Sequence, residues 1–218
     1  MKKSKQYTLI LAIGIIIIGL SVFLNLNNLN YFNTVNNLDN STKAFSKNNI
    51  NFNYPENWQD YTEKASKNSI DKYLAVVGDP NTAGYAGTDS PTTALIVTKT
   101  EDTVNSTENF HPEGFMSESL IQSWVNITNQ TNMQPNYLNI YITTRNFTLS
   151  GLKAHEFTYT GFHTSNKKYE YTRIIAFEKR DISKKKEIFY TIMCTAMNSD
   201  IKESKDAFNK IIDTFKVQ

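Results

Sequence analysis

The first apolar run, Thr8 to Leu24 (TLILAIGIIIIGLSVFL), constrains this chain more than any other stretch. It carries no charge; Lys2, Lys3 and Lys5 precede it and an asparagine-rich segment follows. At about 1.5 Å rise per residue, a helix of this length reaches about 25 Å, enough to cross a hydrocarbon core when flanking residues stretch to the interface. Lysines flanking such a helix stay on the cytoplasmic side. The pattern therefore predicts a short cytoplasmic tail over 1–7, a single-pass transmembrane helix over 8–24, and everything after Leu24 outside the cell. A cleaved signal peptide shares the lysines and the apolar core. Leu20 to Leu24 offers no A-x-A-like cleavage site, and Gly19-Leu20-Ser21 is a weak substitute, which favours a signal anchor that stays. A lipoprotein needs a cysteine just after the run, and the one cysteine is Cys194.

The formal charge of +2 counts the three leading lysines; without them the exterior part carries −1. No field is left to steer nucleic acid or another anionic polymer. A single cysteine forbids an intrachain disulfide, and a domain of this size can stabilise itself by burial alone. Cys194 falls in phase with Ile188, Tyr190 and Ile192, and no electropositive residue neighbours it in the sequence, so it reads as a buried structural thiol. Asn-x-Ser/Thr sequons at Asn40, Asn105, Asn126, Asn129 and Asn146 are what so asparagine-rich a chain produces by chance, and they say nothing about glycosylation.

Residues 25–43 read as a polar, low-complexity stalk, because asparagine side chains compete for backbone hydrogen bonds. Leu26, Leu29, Phe32, Val35 and Leu38 also allow a short helix lying on the membrane, without the basic face such helices carry. The folded domain is expected over 44–218. Ile50–Tyr54 alternates as a half-buried strand that Pro55 ends. Tyr73–Val77 and Ala94–Thr98 read as short strands around a long loop, Gly78–Thr93. Glu113–Asn129 reads as a helix with a stripe of Met116, Leu120, Ile121, Trp124, Val125 and Ile127, and with Pro112 and Glu113 suited to its first turn. Tyr137–Thr148 alternates with Leu138, Ile140 and Ile142 on one face. Ser150-Gly151 marks a turn into Lys153–Phe162, and Tyr169–Glu178 and Glu187–Ala196 follow as strands. A last helix runs from Ile201 to about Phe215 with Asp200 and Glu203 at capping-box spacing. About seven strands and two long helices indicate an α+β class, an antiparallel sheet covered by helices.

Tyr54-Pro55-x-x-Trp58 at the end of a short strand, and Ala207-Phe208-x-x-Ile211-Ile212-x-x-Phe215 at the close, resemble the opening and closing segments of the PsbP-like domain family. The resemblance covers about Ala44 to Val217 and rests on structural motifs. It implies an α/β/α sandwich on an antiparallel sheet, with the C-terminal helix running into a last short strand. Plant members are extrinsic photosystem II subunits that support calcium and chloride retention, and a Ran-binding nuclear-import factor shares the fold. Those roles do not come with the fold. This chain also differs in its own anchor, its near-neutral exterior and its lack of a basic N-terminal docking segment.

No catalytic constellation stands out. His155 and His163 share parity on one strand about 26 Å apart, too far to share a metal. Gly-x-Ser-x-Gly is absent, and Ser-x-x-Lys recurs at Ser69, Ser150, Ser165, Ser183 and Ser199 without its companion motifs. Asp79 and Asp89 flank the long loop and Tyr85 sits at its tip, which makes these three the candidate ligand or partner surface. The expected function is a non-enzymatic, membrane-anchored extracytoplasmic binding module of unknown ligand, without cofactor or bound metal. The alternatives are a cryptic metal-dependent, calcium-using enzyme built on the Asp79–Asp89 loop, and a structural envelope spacer. The expected partners are the membrane, through the helix, and a protein or cell-envelope component. No nucleic acid partner is expected, and the domain should fold alone as a monomer. Trp58 and the terminal helix are expected to hold opposite ends of one core.

Overall fold

The computed structural model describes residues 41–67, 73–82, 91–106, 110–131, 137–164, 167–198 and 201–218. The expected anchor over 8–24 and nearly all of the stalk lie outside these residues. Among the described residues no helix is long and apolar enough to cross a membrane.

The domain opens with a hairpin of β1 (Thr42–Lys47) and β2 (Ile50–Pro55). Asn48 and Asn49 turn it with φ of 56° and 61°. A two-residue turn needs this left-handed geometry to match the twist of its strands, and asparagine tolerates it better than other side chains. β3 (Gln59–Asp60), α1 (Thr62–Lys67), β4 (Tyr73–Gly78) and β5 (Ala94–Thr103) follow. Then come α2 (Phe115–Thr131), β6 (Tyr137–Leu149), β7 (Leu152–His163), β8 (Lys168–Asp181), β9 (Lys186–Asn198), α3 (Lys202–Thr214) and β10 (Lys216–Val217).

The strands form two antiparallel sheets where one was expected. A seven-stranded sheet runs β3-β4-β5-β9-β8-β7-β6, and a three-stranded one runs β1-β2-β10. β1, β3, α1 and β10 escape the hydropathy pattern because each is short or buries almost nothing; β1 buries only Phe45. The short strand after the last helix is the one the family resemblance implies.

Period-two alternation sends each strand's side chains to two different helices. On β8, Tyr171, Arg173, Ile175 and Phe177 face α3 and the small sheet, while Ile174 and Ala176 face α2, so 171–177 are all buried. α2 covers its face with Leu120, Ile121 and Trp124, whose indole meets Phe157 at 6.2 Å. The helix starts two residues later than the periodicity suggests: Pro112 and Glu113 form the turn before it, and Phe115 N–H donates to the Pro112 carbonyl. On the other face Phe208 lies between the rings of Trp58 (5.6 Å) and Tyr171 (6.0 Å), and a ladder of rings links Phe45, Phe52, Phe215, Phe177 and Tyr190. Trp58 is therefore in contact with the terminal helix and not at the far end of the core. That helix buries Phe208 and Ile212 as its spacing predicts, with Phe215 buried at its C-cap, but its N-cap is Ile201 with no side-chain cap.

One expected face is wrong. Leu138 pairs with Phe162 and Tyr141 with Thr160, so β6 carries one extra residue, at Asn139 (φ 53°) or Ile140. A bulge of one residue inverts the parity beyond it. Ile142 turns to the α2 side against Tyr159, and Leu138 is left 54% exposed on the opposite face.

Candidate functional site

α3 meets β8 through Phe208 against Tyr171 and Asn209 on Arg173, and on the same face Leu138, Tyr141, Thr143 and Arg145 of β6 stay exposed. Partners in a ladder share a face, so Leu138, Tyr141, Thr143, Arg145 and Phe147 of β6 line up with Phe162, Thr160, Thr158, Glu156 and Ala154 of β7. Near the β7–β8 turn this face is apolar. Leu138, Tyr141 and Tyr169 are 54%, 68% and 38% exposed, and Phe162 meets Tyr169 edge-on at 5.1 Å.

The apolar strip runs into a buried ion cluster. Arg145 donates to both oxygens of Glu156 at 2.8 and 3.1 Å. Arg173 donates Nε to Glu156 Oε2 at 2.9 Å and a terminal nitrogen to Asn209 Oδ1 of α3 at 2.8 Å. Glu156 and Arg173 are buried, so each charge depends on the other. Lys205 lies over the Tyr171 ring beside them, and burial pushes the Tyr171 phenol well above its ordinary value. Cys194 sits opposite Arg173 in the β8–β9 ladder, so it does have a cationic neighbour. Burial outweighs that cation and pushes the thiol up to about 12, which keeps it protonated and unreactive. The cluster holds a rigid charged floor beside an exposed aromatic strip.

The expected loop site is only partly within the described residues. Asp79 Oδ1 accepts the Asn81 N–H at 2.9 Å, and its carbonyl accepts the Thr82 hydroxyl at 2.8 Å, so this side chain closes its own turn. Gly78 is required before it, because a Cβ there would stand 2.3 Å from Pro91 Cγ. Tyr85 and Asp89 lie outside the described residues.

The histidines are separate, as their spacing implies. His111 pairs with Glu187 at 2.6 Å through both its ring and its backbone N–H. His155 is 2% exposed next to Gly114 and Lys153 at the start of α2, and neither ring nitrogen has a hydrogen-bond partner among the described residues. Burial, then the Lys153 charge, holds its imidazole below the ordinary value. Among the described residues no group of three or more His, Cys, Asp or Glu side chains could hold a metal ion. An open groove lined by Lys47, Asp60, Glu63, Lys64 and Lys67 carries both signs of charge and no aromatic.

The sequence reading missed the β6 strip because the bulge hides it. It could have caught the cluster: Arg145, Glu156 and Arg173 are ionic residues inside strands of β-formers, and buried charges need partners.

The sequence profile of the family described as PsbP-like protein matches residues 9–217. Among curated proteins none matches the chain. Among solved structures, LpqN of Mycobacterium tuberculosis, described as involved in cell envelope biogenesis, is similar with TM-score 0.51 and 12% identity over 78% of this chain and 83% of LpqN. Cyanobacterial PsbP (CyanoP) from Synechocystis sp. PCC 6803 gives TM-score 0.46 and 15% identity over 87% of this chain and 99% of its own. The Ran-binding protein Mog1p of Saccharomyces cerevisiae gives 0.42 and 10% over 81% and 95%. At 12% identity, what LpqN shares with this chain is the fold.

Proposed function

Because the chain belongs to the PsbP-like protein family, we propose that it acts as a non-enzymatic interaction module held outside the cytoplasmic membrane by residues 8–24. The observation that carries this is the exposure of Leu138, Tyr141 and Tyr169 on one open sheet face beside a fixed ion cluster. Contiguous apolar surface rimmed by polar groups marks a partner site, and exposed aromatics are its usual anchors. The charge-free run behind three lysines supports the anchored topology. LpqN, of the same fold, is described as involved in cell envelope biogenesis, and an envelope protein is the partner class we infer.

The test is crosslinking of the full-length protein in its own membranes, followed by recovery under denaturing conditions. An adduct should form with the wild type and vanish with Tyr141→Ser, while the melting temperature stays within about 2 °C. An adduct indifferent to Tyr141→Ser overturns the site. Protease added to intact cells should cleave the domain; a protected domain overturns the topology. Calcium should leave the melting temperature unchanged, whereas a calcium-dependent rise would favour the metal-dependent alternative, since a ligand of the native state must stabilise it.

A further inference from the structure

We propose that β6 is the seam of a two-fold dimer, in which two copies pair antiparallel about Thr144 and join their large sheets into one. The inference rests on reading this end of the sheet as an interaction surface, and it names a second copy of the chain as one occupant.

The four sheet edges among the described residues are treated differently. β3 and β10 are two residues long, and β3 is further guarded by the Lys47–Asp60 ion pair. β1 is six residues and carries Lys43 and Lys47. Short strands and lysines are how natural proteins stop edges from pairing with other chains. β6 is 13 residues long, has no lysine or proline, and its one charge, Arg145, is tied back to Glu156, a carboxylate it shares with Arg173. No strand lies beyond it among the described residues. Its bulge lies at the N-terminal end, and from Tyr141 to Leu149 its register with β7 is unbroken.

The regular part of β6 is also self-complementary. A two-fold axis through Thr144 places Tyr141 opposite the partner's Phe147, Ile142 opposite the partner's Asn146, Thr143 opposite the partner's Arg145, and Thr144 opposite its own copy. Two aromatic pairs then close the ends of the seam, and the Thr–Thr pair sits at its centre, all favourable cross-strand combinations. Tyr141 is 68% exposed and free to make such a pair. Moving the axis to Arg145 would face the two guanidinium groups, and moving it to Thr143 would run the seam into the bulge. A foreign strand gives no reason for aromatic ends placed symmetrically about a threonine; a second copy does. This dimer is the alternative to the monomer expected from the sequence.

The test uses full-length protein in nanodiscs and in mild detergent. Thr144→Cys under gentle oxidation should become mostly covalent dimer, because its Cβ would face its own copy at close range. Ile182→Cys, on the exposed β8–β9 turn, should form little covalent dimer, and buried Cys194 should not compete. Thr144→Lys sets like charges opposite each other and should weaken dimerisation by about tenfold or more in sedimentation, with the circular dichroism spectrum of the folded chain unchanged. Three results would overturn the dimer: Thr144→Cys crosslinking no faster than Ile182→Cys, a wild-type chain that sediments as a monomer, or a dimer indifferent to Thr144→Lys. The membrane adduct that depends on Tyr141 is a separate readout. If it survives while the dimer fails, the interaction surface stands and its occupant is another protein.

Discussion

On the face under α3, Phe208 is wholly buried between Trp58 and Tyr171, and ring contacts run unbroken from Phe45 to Tyr190. On the face under α2, the buried set is Leu120, Ile121, Trp124, Phe157, Ile174 and Ala176, with His155 beside it lacking any hydrogen-bond partner among the described residues. The start of α2 is held from outside the helix: Glu178 accepts the Ser117 N–H at 2.6 Å. The α3 face gains from area and aromatic packing, and its buried charges are paired. The α2 face is smaller and keeps a buried imidazole that water would solvate better. Local opening follows such differences in packing, so α2 should leave the sheet before α3 does.

The largest effect should come from Phe208→Ala, which opens a cavity among three elements and should cost about 3–5 kcal/mol in urea melts. A near-neutral result would mean that the α3 face is not the dominant core. Next, Glu156→Ala should cost about 3–5 kcal/mol, because it strands the Arg173 guanidinium in the interior. Pairing Glu156→Leu with Arg173→Met should recover most of that loss. If it does not, the cluster contributes through its geometry and not only by mutual neutralisation.

The α2 face should show itself through pH. Burial and Lys153 hold His155 below its ordinary value of 6.5, with the Glu118 and Glu178 carboxylates facing it and opposing the shift. The unfolded chain takes up a proton near that value while the folded chain does not, so the unfolded state binds more protons in this window. Stability is then full above about pH 6.5 and falls as the solution is acidified below it. Buried His163 shifts the same way. Glu101, held down to about 2 by Lys186 and Lys99, matters only at lower pH. His155→Gln should flatten part of the slope between about pH 6.5 and 5; an unchanged slope would assign it to His163 alone. The smallest effect should be Lys47→Ala. It removes an exposed ion pair to Asp60 and should change stability by less than about 1 kcal/mol.

The terminal helix was legible because Phe208, Ile211 and Ile212 repeat at helical spacing with a polar face between them. Cys194 was legible by strand parity, and Ser150-Gly151 by its turn chemistry, confirmed by φ of 53° and 77°. β1 was not, since TKAFSK offers one core side chain and no alternation to read. The strip at Leu138 and Tyr141 depends on one extra residue beside a left-handed asparagine, Asn139, in a chain full of asparagines. Nothing local distinguishes it from Asn146, which lies in unbroken register with His155. A face assignment propagates along a strand until a bulge interrupts it, so a single hidden residue separated Leu138 from Ile142.

β10 sets an order of events. Lys216 and Val217 pair with Asn51 and Ile50, and Gln218 N–H reaches the Asn49 carbonyl. The first hairpin is local in sequence, but its sheet stays one strand short until β10 arrives from across the domain. Contacts this distant in sequence carry a loop-closure cost that slows folding. The small sheet is therefore a latch between distant segments, and until β10 docks the edge of β2 stays open to whatever strand comes near.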